Sequence, residues 1–518
     1  MSKEKRKSRW LFFGKDKYTY DTIDELVNKS MGLAVGEVVT LNGYYSADDG
    51  ATHKRVIADT DDGSGVQLRN RKWANIVHNG EVNVSWFGAK GDGVTDDSSF
   101  IKKSISFLTS KNGGTINFSA KKYVLNNSLY FKKSIILKGI TKSRINFEYG
   151  TVLDFSNASG DYAINIGNDI GQGIENLKII GTKNINKGII LSEGSFNNTI
   201  RNVDIKGFVN GIYCKTSWNN VFEKITVSYC ENGFVFTGTT TSSSYISCLC
   251  YNSEVGFLIE KGMPYSSFLS CGTDHVTKGV VVKSNLSNTG FYNFGFEDYQ
   301  VCWDINTADG IVNINGFSQY SPRYDAFIFA VRNIRRLNLF GCDLSSTSGA
   351  NLFFIQDLGN EKLYGAIRSY GCKFNNSVGN HTKNLDRVIQ DGNLPYMFLR
   401  KTSIKDNAVK YDGIIEESLT MRIDVPNNND EVVVEVKCCG ESINESCSIY
   451  VKNENGVIKI SNSKLSNLSF KSWDNSAGEK GKAFSLVGDV KLIFFVTAIA
   501  YNTAKIPNIS DLKVAYDF

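Results

Sequence analysis

The sequence predicts an all-β protein: a right-handed parallel β-helix, preceded by a small N-terminal module and followed by a C-terminal β-sandwich. Three observations carry this. Gly188, Gly211, Gly233, Gly256 and Gly279 recur at steps of 23, 22, 23 and 23 residues, each followed by an apolar run such as Phe234-Val235-Phe236. Self-similarity at a period of this length marks a repeat architecture. Apolar residues also recur at fixed phases around the glycines. Finally, 47 glycines, 5 prolines and 12% aromatics fit a chain rich in strands and turns.

The phases define columns. Eleven residues before each glycine stand Leu177, Ile200, Phe222, Tyr245 and Phe268. Eight before stand Ile180, Val203, Ile225, Cys248 and Cys271; one after stand Ile189, Ile212, Phe234, Phe257 and Val280. Positions an even number apart alternate with polar ones, the period-2 pattern of strands with one buried face. Stacked turns pair each strand with its copy roughly 4.8 Å away. The glycines are expected at tight corners that need φ > 0.

The net charge is +5, with both signs spread along the chain, so no nucleic-acid partner is implied. No apolar run reaches the 18 or so residues of a membrane span, and no membrane association is expected. Trp10-Leu11-Phe12-Phe13 is too short for a signal-peptide core, so synthesis in a cytoplasm is expected, with release by lysis or on a particle. All 11 cysteines follow residue 213, and none has zinc-ligand spacing; no metal and no cofactor are expected. Cys248 and Cys271 read as small core residues of one column.

In chain order, residues 1–17 form a basic tail with seven Lys/Arg against two acids. Residues 18–83 form a small module. It opens on a short helix with Thr22 as N-cap and Glu25 three residues on. Asp59, Asp61 and Asp62 read as a turn. Residues 84–393 form the coil, and its opening is a specific signature: Val84-Ser85-Trp86-Phe87-Gly88-Ala89-Lys90-Gly91-Asp92-Gly93-Val94-Thr95-Asp96-Asp97. Ile101, Ile105 and Leu108 then give a helix one apolar face. Gly113-Gly114 precedes the strands at Thr115–Phe118 and Tyr123–Leu125. Such a helix covers the open end of a coil stack. Past Val282 the units at 293–298, 313–317, 337–343 and 369–374 continue with longer loops, up to a break at Asp391-Gly392-Asn393-Leu394-Pro395. Residues 394–518 read as the sandwich, with strands at 419–425, 432–436 and 490–496.

The signature, helix and glycine pair together resemble the opening of the pectate-lyase-like β-helix of phage tailspikes and related polysaccharide-degrading proteins. The resemblance implies a homotrimer that acts on a bacterial surface polysaccharide. It also implies an N-terminal module facing the phage tail or baseplate, a virion-tail location, and a C-terminal domain for trimerisation or carbohydrate binding.

No nucleophilic triad, Walker loop or metal helix is present; Gly171-Gln172-Gly173 is a lone G-x-G. Carboxylates on the outer face remain, and glycosidic cleavage typically uses two. The column five residues before each glycine faces outward: Lys183, Lys206, Ser228, Tyr251 and Asp274, then Glu297, Tyr320 and Asp343. Asp274 and Glu297 are expected one rung apart, and Glu297 and Asp343 two. Asp274, Glu297, Asp298 and Asp343 are therefore the catalytic candidates, and Tyr251, Trp303 and Tyr320 the sugar-stacking candidates. Strand alternation turns Asp298 and His275 away from the pair unless a bend intervenes. The competing reading is solvated acids on a strand face. Hydrolysis, a lyase acting on a uronate-containing glycan, and a glycan-binding adhesin all remain open at this point, as does a teichoic-acid substrate.

Overall fold

The computed structural model describes residues 18–141, 150–307, 310–323, 326–343, 351–355, 367–370, 372 and 388–390, and strands between 400 and 501. The basic tail and the break at 391–395 lie outside the described residues. The chain divides into two compact units, Met1–Leu258 and Ile259–Phe518.

In the first unit the helix Ile23–Asn28 forms where expected. Thr22 Oγ1 accepts from Glu25 N at 3.1 Å, and the Glu25 carboxylate accepts from Asp21 N at 2.6 Å. This satisfies donors that a helix start leaves unpaired. It packs with a five-stranded sheet built from Thr19–Tyr20, Val38–Leu41, His53–Ala58, Trp73–Ile76 and Val66–Gln67. The acidic cluster forms a turn, with Asp61 Oδ1 accepting from Gly63 N and Gly65 N. The coil starts three residues earlier than expected, because Glu81–Asn83 already pairs with Thr115–Asn117.

The signature has a mechanical reason. Asp97 is buried, and its carboxylate accepts from Lys90 N at 2.8 Å and Gly91 N at 2.9 Å. That clamps the loop onto the start of the helix Ser98–Ser110, whose Ile101, Ile105 and Leu108 are buried. Gly113 and Gly114 have φ of +122° and +140°, and a Cβ at Gly114 would lie 2.3 Å from the Gly80 carbonyl oxygen. Only glycine fits there.

The coils are parallel. Thr199–Lys206 pairs with Val221–Ser228, Asn210–Cys214 with Asn232–Phe236, and Ser217–Trp218 with Thr240–Thr241. The inward columns stack as ladders: Phe222 on Tyr245 at 4.7 Å and Phe234 on Phe257 at 4.6 Å between ring centroids.

Two expectations fail here. The repeating glycines sit inside strands and not at positive-φ corners. They are required by packing instead. A Cβ at Gly211 would meet Val227 Cγ1 at 2.3 Å, and one at Gly233 would meet Cys250 Sγ at 2.4 Å. The left-handed corners fall to other residues, among them Asn202, Ser247, Ser270 and Asn293. The first coil is also out of the expected phase. Leu177 pairs with Val203 and Ile174 with Ile200, because the corner between Ile180 and Gly188 carries three more residues than the one between Lys206 and Gly211. Ile180, not Lys183, therefore faces Lys206.

In the second unit Gly272–Val282, Leu286–Asn306, Ile311–Tyr320, Phe327–Asn333 and Arg336–Phe340 continue as parallel coils. Antiparallel strands follow in two sheets. One orders Arg400–Lys405, Ala408–Ile415, Leu492–Tyr501, Glu431–Cys439, Asn444–Glu454 and Val457–Asn462; the other orders Ser418–Asp424, Gly481–Val487 and Ser469–Asp474. The three strands expected here lie within these sheets, short of residues 425, 490 and 491, which are outside the described residues.

Candidate active site

The outward column of the second unit is in the expected register. Asp274 pairs with Glu297, and Glu297 with Tyr320, at consecutive rungs. The two carboxyl-bearing residues are thus roughly 4.8 Å apart at the backbone. Glu297 is exposed, with no hydrogen-bond or ion-pair partner among the described residues. Asp274 is half-buried and partnered.

Its partner is His275. The ring Nδ1 lies 2.5 Å from Asp274 Oδ1, and Nε2 lies 3.2 Å from Asp298 Oδ2. Asp298 Oδ1 in turn accepts from Arg323 Nε at 2.6 Å. Asp274, His275, Asp298 and Arg323 thus form a chain of polar contacts along the outer face beside Glu297.

Plain alternation would have turned His275 and Asp298 inward. Both have left-handed backbone, with φ of 51° and 40°. The same conformation recurs every 23 residues, at Tyr229, Asn252, His275, Asp298 and Ser321. A left-handed residue within a strand breaks the alternation, so that it and the residue before it both project outward. Each rung then offers two side chains where a regular strand offers one. Such backbone costs an ordinary L-residue about 1–2 kcal/mol, and it is held by the ladder on either side. Arg323 was not singled out by the sequence; its signal is that it stands one coil beyond Asp298.

Two candidates move. Trp303 is a core residue, 0% exposed, between Phe291, Phe294, Phe296 and Phe317. The reason lies in the ladder: Val280 is an inward residue, and Trp303 pairs with it. Asp343 also leaves the column. Ile311–Asn315 pairs with Arg336–Phe340 at a step of 25 residues, and Asp343 N bonds Phe317 O. This sets Asp343 opposite Ser318, short of the Tyr320 rung. Tyr320 remains at the site and is 67% exposed. Tyr251 belongs to the first unit, half-buried and edge-on to Tyr229 with ring centroids 6.3 Å apart. Among the described residues no group of three or more His, Cys, Asp or Glu side chains is placed to hold a metal ion.

Known proteins share this architecture. A family model described as rhamnogalacturonase A/epimerase, pectate lyase-like, matches residues 81–151, the segment that holds the signature, the helix and the first strands. A polygalacturonase of Arabidopsis thaliana (ADPG1) is 33% identical over 124 residues, 23% of this chain and 27% of that relative. The chain thus spans about a quarter of the length of the curated relative it matches. Among solved structures, the enzymatically active domain of tailspike protein 4 from bacteriophage CBA120 superposes with a TM-score of 0.54 at 15% identity, covering 93% of this chain and 77% of that one. The corresponding domain of tailspike protein 2 from the same phage gives 0.53 at 12% identity, covering 92% and 88%. These likenesses show the fold: a pectate-lyase-like parallel β-helix.

Proposed function

We propose that this chain is a phage or prophage tailspike that cleaves a bacterial surface polysaccharide by glycosidic hydrolysis. The observation that carries the chemistry is the in-register pair Asp274 and Glu297, one rung apart on the outer face. Retaining glycosidases hold their two carboxyl groups about 5–5.5 Å apart, close to one rung. Glu297, without a partner, is free to donate a proton to the leaving oxygen. Asp274 is oriented by His275 and serves as the ionised nucleophile. Asp298, held between His275 and Arg323, fixes the imidazole. Tyr320 on the next rung offers a ring for the sugar to stack on. The tailspike role is supported by the two tailspike active domains of the same fold, and action on a polysaccharide by the polygalacturonase match.

Incubation with candidate host polysaccharides tests this reading. Size-exclusion profiles are expected to shift to shorter chains; an unchanged profile with retained binding would make the protein an adhesin. A second reading is favoured by one observation: His275 and Arg323, a base and a cation, both reach Asp298. That set could serve a lyase acting on uronate units. Its product would absorb in the ultraviolet as an unsaturated sugar, whereas a hydrolase releases only reducing ends.

The assembly proposed is a homotrimer, attached to the tail through residues 18–83, as in the family resembled. Light scattering is expected to report three times 57.4 kDa. A 57.4 kDa particle at micromolar concentration would refute it.

A further inference from the structure

A concave site lies in the first unit, where the N-terminal module meets the opening of the coil. It encloses about 270 Å³ and is walled by Tyr44, Tyr45, Asp49, Ser85, Lys90 and Lys121. The joint that builds it is tied from both sides. Tyr45 Oη donates to the Gly88 carbonyl at 2.8 Å, and the buried Arg55 donates through Nη2 to the Trp86 carbonyl at 2.6 Å. The loop that carries the tyrosines is held by one carboxylate. Asp49 Oδ2 accepts from Tyr44 N, Tyr45 N and Ser46 N, while Oδ1 accepts from Ala51 N. Those four bonds hold the Asp49 carboxyl below its usual range against the opposing effect of burial.

The charge balance of the site is uneven. Asp49 is consumed by backbone donors, and neither lysine has a carboxylate partner among the described residues. Lys121 Nζ reaches the carbonyls of Asp49 at 3.1 Å and Lys90 at 3.3 Å, which leaves one of its three donors unused. Lys90 Nζ stands 5.1 Å from the Tyr45 ring centroid and makes no hydrogen bond among the described residues, so all three of its donors are open. The other walls are two tyrosine rings, whose negative faces suit the C–H edge of a pyranose.

We propose that this pocket binds a single carboxylate-bearing sugar ring: the carboxylate on the Lys90 and Lys121 ammoniums, the ring against Tyr44 and Tyr45, and a hydroxyl toward Ser85. Sites for drug-sized ligands run from about 300 Å³ upward, so a cavity of 270 Å³ takes one ring and not a chain. The site shares no residue with the Asp274–Glu297 pair, and its occupancy does not depend on cleavage there. Because Lys90 is solvent-exposed, the electrostatic part of binding weakens as salt rises.

Calorimetric titration of the full chain with glucuronate, glucose and acetate tests this. Glucuronate is expected to bind, glucose and acetate at least ~10-fold more weakly, and Lys90→Met to weaken glucuronate by ~10-fold. Lys90 contributes no hydrogen bond through its side chain, so that variant should melt with the parent; Tyr45→Leu, expected to weaken the sugar while sparing acetate, is the second probe. Glu297→Gln is expected to bind glucuronate as the parent does. Acetate equal to glucuronate would reduce the site to a bare anion contact and overturn the proposal. So would glucose equal to glucuronate, or affinity that follows Glu297→Gln and ignores Lys90→Met. Loss of depolymerisation alone leaves this result standing.

Discussion

Asp274→Asn and Glu297→Gln should each lower polysaccharide cleavage by about 10²- to 10⁴-fold, the usual contribution of a positioned acid or base, without loss of fold. Both side chains lie on the outer face, and neither fills the core. Asparagine keeps an oxygen that can accept from His275 Nδ1, so the Asp274–His275–Asp298–Arg323 chain is not broken by shape. What it loses is the negative charge a nucleophile needs. Glutamine at 297 loses the transferable proton. The two variants should also differ: with an activated leaving group, a reaction that needs no proton donor at the first step, Glu297→Gln should recover more than Asp274→Asn. Glycan binding should persist in both, because Tyr320 is untouched. Folded variants with near-parental rates would remove this pair and leave the His275–Arg323 set of the lyase reading as the chemistry to test.

Phe234→Asp is expected to abolish the cooperative thermal transition. Phe234 is fully buried, pairs in register with Ile212, and stacks on Phe257 at 4.6 Å with planes 3° apart. Removing a buried phenylalanine costs about 3–5 kcal/mol, and an uncompensated buried carboxylate adds a desolvation penalty of several more. Total stabilities of about 5–15 kcal/mol leave little to absorb that. A ladder makes the damage local at first, since each coil rests on its neighbours, so protection from hydrogen exchange should be lost around residues 212–257 before elsewhere. Phe234→Leu, apolar and close in size, should keep the transition. A Phe234→Asp variant that melts like the parent would place this side chain outside the stack.

The sequence by itself determined the repeat, the strand phase and the inward ladder, because all three are local: period 2 sets which face is buried, and a constant step stacks like on like. It also determined that Asp274 and Glu297 share a column, since no insertion falls between them. Trp303, expected to stack on sugar, was misplaced although the same ladder puts it one step beyond the inward Val280. Tertiary structure decided what depends on corners. Whether His275 and Asp298 face the pair turns on a left-handed φ at each, and the unlike residues of that column, Tyr229, Asn252, His275, Asp298 and Ser321, do not announce the shared torsion. Arg323 joins them only through the coil that brings it back to Asp298. Three extra residues after Ile180, and a step of 25 residues where 23 were expected before Asp343, shift registers by amounts that composition does not report. The repeating glycines show the same division. Their spacing was plain, but their reason, the side chain of the neighbouring strand lying where a Cβ would stand, exists only once the coils are stacked.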